Sequence, residues 1–223
     1  MNLLPLVLFL GVFTRCMQVE SAESSYDVLS PIEYQVVQRQ EGDPTWVEVK
    51  VAATPESLVH RTMEYRLDQN GKPGIWQLLR GEWKKDLFRS RIQVPDGGWH
   101  RLHLREEGNP AFPSRAVRFG VGEIFVVAGQ SNSGNYGEVK QSTQTGLVSA
   151  FDFDNKKWQL AKDPQPGAGG RGGSIMPLLG DALSTAFNLP VGIIAYGQGG
   201  TSVREWLPQG SRFPNPPTVE NKV

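Results

Sequence analysis

The chain has 223 residues, 39% of them hydrophobic and 21% charged, enough for one large domain or two modest ones with their own cores. Lys plus Arg and Asp plus Glu stand at 23 each, and the eight basic and eight acidic residues from Gly120 onward keep that balance local. No global field favours nucleic acid or an acidic membrane, so neither is expected as a partner.

Leu3 to Phe13, LLPLVLFLGVF, is an uncharged apolar run too short to span a bilayer comfortably, and polar TRCMQVESAES follows it. This is the shape of a secretory signal peptide over residues 1–22, with small residues near Ser21 and Ala22 to accept cleavage. A buried first strand or an uncleaved anchor is the alternative. The lone Cys16 lies inside this segment, and Arg15 before it argues against lipidation. A cleaved chain would carry no thiol for a disulfide or a metal. The expected location is secreted or periplasmic, with no membrane attachment after cleavage.

Residues 28–118 read as short strands. EYQVVQR, TWVEVKVAA, MEYRL, IWQLL, LFRSRIQV and WHRLHLR alternate apolar with polar positions, and QEGDP, DQNGKPG, PDGG and EEGNPAFP punctuate them. An antiparallel, immunoglobulin-like β-sandwich domain is expected. Trp46, Trp76, Trp83 and Trp99 can line a sugar-binding face, because aromatic rings stack on pyranoses; core packing is the commoner fate of such residues.

Residues 120–223 differ in character. EIFVVA is a continuous apolar run, expected as a strand buried on both faces. In SIMPLLGDALSTAFNL, Ile175, Leu178, Leu179, Ala182, Leu183 and Ala186 fall on one apolar helix face, with Ser174 as N-cap and Pro177 in the first turn. Pro190 ends the helix and VGIIAY gives a second buried strand. Strand, helix and strand in this order predict a parallel sheet, hence an α/β domain. Two strands and one clear helix are few for a complete one, so the chain is expected to be cut short.

Two loops then occupy equivalent strand ends: GQSNSGN after the first strand, and GQGGTSVREW after the second. Ligand sites in open α/β sheets form there. Ser131 offers a hydroxyl, and the glycine-rich loop offers backbone N–H groups for a developing oxyanion. On the loops alone, tight, polar strand exits are more often simple turns. Ser133 replaces the final glycine of a G-x-S-x-G elbow. GAGGRG, Gly167–Gly172, matches G-x-G-x-x-G but follows AKDPQP rather than a strand, so it reads as a flexible loop bordering the site. A catalytic serine needs a base, and His60, His100 and His103 all lie upstream in the strand-rich region.

GQSN after an apolar strand, together with PLLGDAL…LPVGIIAYGQGGTSVREW, resembles the sialate O-acetylesterase-like branch of the SGNH hydrolases over Val121–Pro208. The resemblance implies an incomplete flavodoxin-like α/β domain preceded by the β-sandwich. It also implies a serine hydrolase that removes O-acetyl esters from carbohydrate through an acyl-enzyme, with an acetylated sugar as substrate and neither metal nor organic cofactor. The nucleophile maps to Ser131, and the oxyanion donors to the Ser131 N–H and Gly200. Gly129, Gln130, Asn132, Gly199 and Thr201 would shape the site. The family's later Gln-Gly-Glu and Asp-x-x-His blocks do not occur in the chain, so it lacks the catalytic histidine and is expected to be inactive as it stands. A non-catalytic carbohydrate-binding protein or a pseudoenzyme is the alternative. Oligomeric state is left open.

Overall fold

The structure is a computed structural model and describes residues 26–42, 44–53, 62–108 and 116–208. The apolar amino-terminal run with Cys16, His60 and the residues after Pro208 lie outside these. The strands, in order, are β1 (Tyr26–Ser30), β2 (Gln35–Gln38), β3 (Thr45–Ala53), β4 (Met63–Gln69), β5 (Gln77–Leu79), β6 (Gly81–Lys84) and β7 (Leu87–Val94). They continue with β8 (Trp99–Glu106), β9 (Val117–Gly129), β10 (Val148–Asp152) and β11 (Lys157–Leu160). The helix α1 (Met176–Phe187) and strand β12 (Val191–Gly197) follow.

Alternation decides the first half. In β3, β7 and β8 every second side chain is buried, so each strand gives one face to a core and one to solvent. β1, β3, β7 and β6 form an antiparallel four-stranded sheet in the order β1-β3-β7-β6. Its inner residues Val47, Val49, Phe88 and Ile92 share a core with Met63, Leu102, Leu104 and Phe119 of the second sheet.

The second sheet is mixed. Its order is β11-β10-β12-β9-β8-β4-β5, with β2 added against β9. β9 pairs antiparallel with β8 over Val117–Gly120, parallel with β2 over Phe119–Gly122, and parallel with β12 over Glu123–Gly129. Residues 118–120, where the sequence changes character, thus lie inside one thirteen-residue strand. Beyond it, β12 pairs parallel with β10, which ends in an antiparallel hairpin with β11.

The expected flavodoxin-like domain behind an antiparallel sandwich therefore does not form. That architecture needs helices over both faces of a parallel sheet, whereas the described residues hold one α-helix and sheets of mixed direction. EIFVVA consequently is not buried on both faces: Phe125 and Val127 pack on the cluster beneath α1, while Val126 on the opposite face is 67% exposed.

The helix also turns differently from expectation. Met176, Pro177, Gly180 and Ser184 form its buried face, and Ile175, Leu178 and Leu179 are exposed. The cause is close approach. A Cβ at Gly180 would lie 2.4 Å from Val148 Cγ1, so glycine lets the helix sit down on β10 and β12 where a leucine face would hold it off. The N-cap is Ile175 rather than Ser174, with no side-chain cap; Ser174 lies one residue earlier, its Oγ accepting the Met176 N–H at 3.2 Å, and Pro177 occupies the tolerated first-turn position. Asn188 ends the helix in the left-handed conformation, two residues before Pro190.

Candidate functional site

The two strand-end loops come together as their sequence positions require. Gly129 and Gly197 are register partners on β9 and β12, and Gln198 N donates to Gly129 O at 2.8 Å. Ser131, Asn132 and Ser133 form a single 3-10 turn after Gln130. The Ser133 N–H bonds Gln130 O at 2.9 Å and the Gly134 N–H bonds Ser131 O at 3.0 Å. Across from it, Gly200 takes a left-handed φ of 77°, and Gly199 packs so closely on Tyr136 that a Cβ would meet its hydroxyl at 2.5 Å. Thr201 is buried and structural: its Oγ1 donates to Gln198 O at 2.8 Å and accepts from Trp206 Nε1 at 3.0 Å.

GAGGRG is laced rather than loose. Gly169 N bonds Gly197 O at 2.6 Å, Asn135 N bonds Gly169 O at 2.7 Å, and Gly172 N bonds Asn135 O at 2.8 Å. Beneath it lies a buried polar network that sequence reading did not find. Asn135 Nδ2 donates to the Gln165 and Ala168 carbonyls, each at 3.0 Å. Asp163 accepts from Gln141 N, Ser174 N, Ser174 Oγ and Gln165 Nε2. Scattered Asn, Asp, Gln and Ser in a loop carry no periodic signal, so only the fold reveals that they satisfy one another.

Beside Ser131 runs an open groove lined by Tyr136, Val139, Ile175, Leu178 and Leu179. No base reaches it. Of the described histidines, both stand on β8. His100 is fully buried in the first core, where its Nε2 donates to Pro95 O at 3.0 Å and its ring tilts against Phe119. His103 sits on the outer face, its Nε2 2.9 Å from Asp68 Oδ2. No triad-like arrangement forms around Ser131 among the described residues, and the ester-hydrolysing mechanism, with the assignment as a carbohydrate O-acetylesterase, is not supported. No group of three His, Cys, Asp or Glu among those residues could hold a metal ion.

Buried His100 and half-buried His103 act on stability instead. Burial pushes the His100 pKa down, with the Pro95 carbonyl opposing it; burial lowers His103 as well, against the pull of Asp68. The unfolded chain therefore binds more protons than the folded one below the ordinary histidine pKa of about 6.5. This contribution is intact above that value and is lost as pH falls from it toward the folded pKa values, by at most about 1.4 kcal/mol per pH unit for each group. Urea midpoints measured between pH 7.5 and 5 are expected to fall, and His100→Gln to flatten the profile. An unchanged slope in that variant would assign the effect elsewhere.

A second concavity lies at the other end of the parallel strands, roughly 20 Å of extended chain away along the seven residues of β12. It is a cleft of about 810 Å³ lined by Asp68–Gly71, Asp96–Trp99, Arg101, Arg118, Leu147 and Asn188. Two tight turns build its floor. Asn70 and Gly71 both have positive φ, and Gln69 and Lys72 exchange backbone hydrogen bonds at 2.9 and 3.1 Å, the geometry of a two-residue hairpin turn. Gln69 Nε2 ties that turn to Gly97 O at 3.2 Å.

Trp99 is held rigidly at the cleft. Its Nε1 donates to Gly146 O at 2.7 Å, and its ring meets Tyr34 edge-on with centroids 5.8 Å apart. The other tryptophans are placed differently. Trp83 packs on Tyr26 and Phe88, Trp46 is 49% exposed on β3, and Trp76 lies under the Arg105 guanidinium at 3.9 Å. Asp68 is bound into the wall. Burial opposes its ionisation, but the Gly74 N–H, Arg66 and His103 together hold its carboxyl below the usual range.

No family profile matches the chain, and no curated protein matches it. Among solved structures, a protein from Arabidopsis thaliana is similar at 19% identity with a TM-score of 0.32, over 40% of this chain and 45% of that one. The chain thus spans less than half the length of that protein. A likeness this faint assigns no architecture. The mixed sheets and single described helix are what remove the support for a sialate O-acetylesterase-like SGNH hydrolase: the GQSN and GGTS motifs close two neighbouring strand ends without that family's fold.

Proposed function

We propose that the chain is a non-catalytic carbohydrate-binding protein whose ligand occupies the cleft at Trp99. The observation that carries this reading is the composition of the lining: one hydrogen-bonded indole among amide, carboxylate and guanidinium groups. Most small-molecule sites are predominantly apolar with a few polar groups. A cleft dominated by donors and acceptors suits a hydroxyl-rich ligand, and an aromatic face suits the C–H surface of a pyranose. Gln69, Asn70 and Asn188 each offer both a donor and an acceptor, the pairing a sugar hydroxyl needs. The apolar amino-terminal run supports a place outside the cytoplasm for such a protein.

Titrating the full chain against neutral and acidic oligosaccharides tests this. Saturable binding is expected, weakened up to about tenfold by Trp99→Ala, in line with roughly 0.5–1.5 kcal/mol for a lost aromatic contact beyond its buried area. Ser131→Ala is expected to bind as the parent does, and neither protein to release acetate from acetylated sugars. Serine-dependent acetate release, or no glycan binding at all, would overturn the reading.

A further inference from the structure

Arg101 and Arg118 are direct register partners on antiparallel β8 and β9, so their side chains leave the same face of the sheet at the edge of the cleft. Two like charges in opposed positions destabilise a strand pair, whereas a carboxylate at one of them would stabilise it. Here the neighbouring carboxylates are engaged elsewhere. Asp68, the partner of Arg101 on its other side, is bidentate to Arg66 at 2.8 and 3.1 Å and lies 2.9 Å from His103 Nε2. Asp96 faces Arg39 at 3.8 Å. Glu33 Oε2 accepts the backbone N–H of Arg118 at 2.9 Å rather than its guanidinium.

Among the described residues neither guanidinium has an acidic partner within ion-pair distance. Arg118 is nevertheless fixed, its Nη1 donating to the Tyr34 hydroxyl at 3.0 Å and its guanidinium lying 5.2 Å from the centre of the Tyr34 ring. Tyr34 also packs on Trp99, so one aromatic residue positions both a cation and the indole at the cleft. A local conflict that nearby residues hold in place rather than relieve marks a position kept for a ligand.

We infer that Arg101 and Arg118 together seat a carboxylate of the bound sugar, which makes the ligand an acidic glycan of the uronate class. The inference rests on the carbohydrate reading and deepens it. Planar, multi-donor guanidiniums match a carboxylate bidentately, and two of them on one face can share its two oxygens. Binding of the acid relieves the repulsion of the pair as well as forming the new hydrogen bonds.

The test compares the full chain's affinity for oligogalacturonate and for a glucuronate-containing tetrasaccharide with that for each carboxyl-reduced counterpart, using inorganic phosphate as competitor. At least one acidic form is expected to bind about tenfold or more tightly than its neutral counterpart, as for a charge-assisted contact. Arg101→Gln and Arg118→Gln should each narrow the gap and the double variant should close it, while affinity for the neutral form stays. Arg101→Lys should keep part of the preference, and far-ultraviolet circular dichroism verifies that each variant is folded. Equal binding of acidic and neutral forms, or a gap untouched by the double variant, overturns the inference and leaves carbohydrate binding standing. Displacement by phosphate at matching concentration overturns it too, because the pair would then be an anion site without sugar selectivity. Absence of binding to every glycan overturns both readings.

Discussion

Phe119→Ala is expected to cost about 3–5 kcal/mol, the range for removing a fully buried phenylalanine. Phe119 has no exposed surface and sits in the first core between two neighbours on the same sheet, Gln35 of β2 and His100 of β8. Its ring lies 5.6 Å from the His100 ring, so truncation opens a cavity beside a buried imidazole that has one hydrogen-bond partner. Partial collapse of the site would lower the cost, and Phe119→Leu, which retains most of the volume, should lose under about 1.5 kcal/mol. Urea denaturation of the full chain gives both values. A loss below about 1 kcal/mol for Phe119→Ala would show that this part of the core is not close-packed.

Gly122→Ala should destabilise comparably, by about 3 kcal/mol or more, through crowding rather than a cavity. A Cβ at Gly122 would lie 1.9 Å from the Pro190 carbonyl oxygen and 2.9 Å from its carbon, so no side-chain rotation relieves the clash. The backbone there has to move, and that backbone is engaged on every side. Glu123 N donates to Pro190 O at 3.1 Å, Arg39 N donates to Gly122 O at 2.8 Å, and the β9–β12 ladder begins one residue later. Val126→Ala, at an exposed position of the same strand, should stay within about 0.5 kcal/mol and serves as the control. Equal midpoints for the two variants would mean that β9 and Pro190 have room between them.

How much of this could be read from the sequence varies with the kind of signal. The strands β3, β7 and β8 announce themselves because one wet face imposes strict alternation, and the Asn70–Gly71 turn because both positions need a positive φ. The meeting of the Gly129 and Gly197 loops is legible too, since two strands bounded by a helix fix which ends converge. The buried face of α1 is not. Leucines outweigh glycine and serine in any periodicity argument, yet Gly180 and Ser184 go inward because the helix lies so close to Val148. GQSN and GGTS show the limit of motif reading. They place Ser131 at a strand end correctly, but catalysis depends on a base delivered from elsewhere in the fold, and the described histidines stay on β8. Nor does sequence expose the pairing of Arg101 with Arg118, which depends on a register that neither strand specifies alone.

The thirteen-residue span of β9 has a consequence for phase. Successive side chains in a strand point to opposite faces, so Phe119 and Val121, turned toward one core, set the parity of Phe125 and Val127, turned toward the other. The two clusters are locked to a common count. An insertion of one residue between Val121 and Ile124 would leave the first cluster in register and present Ile124 and Val126 to the second, whereas two inserted residues would restore both. Evolution can lengthen this strand only in even steps, or by a bulge that resets the count.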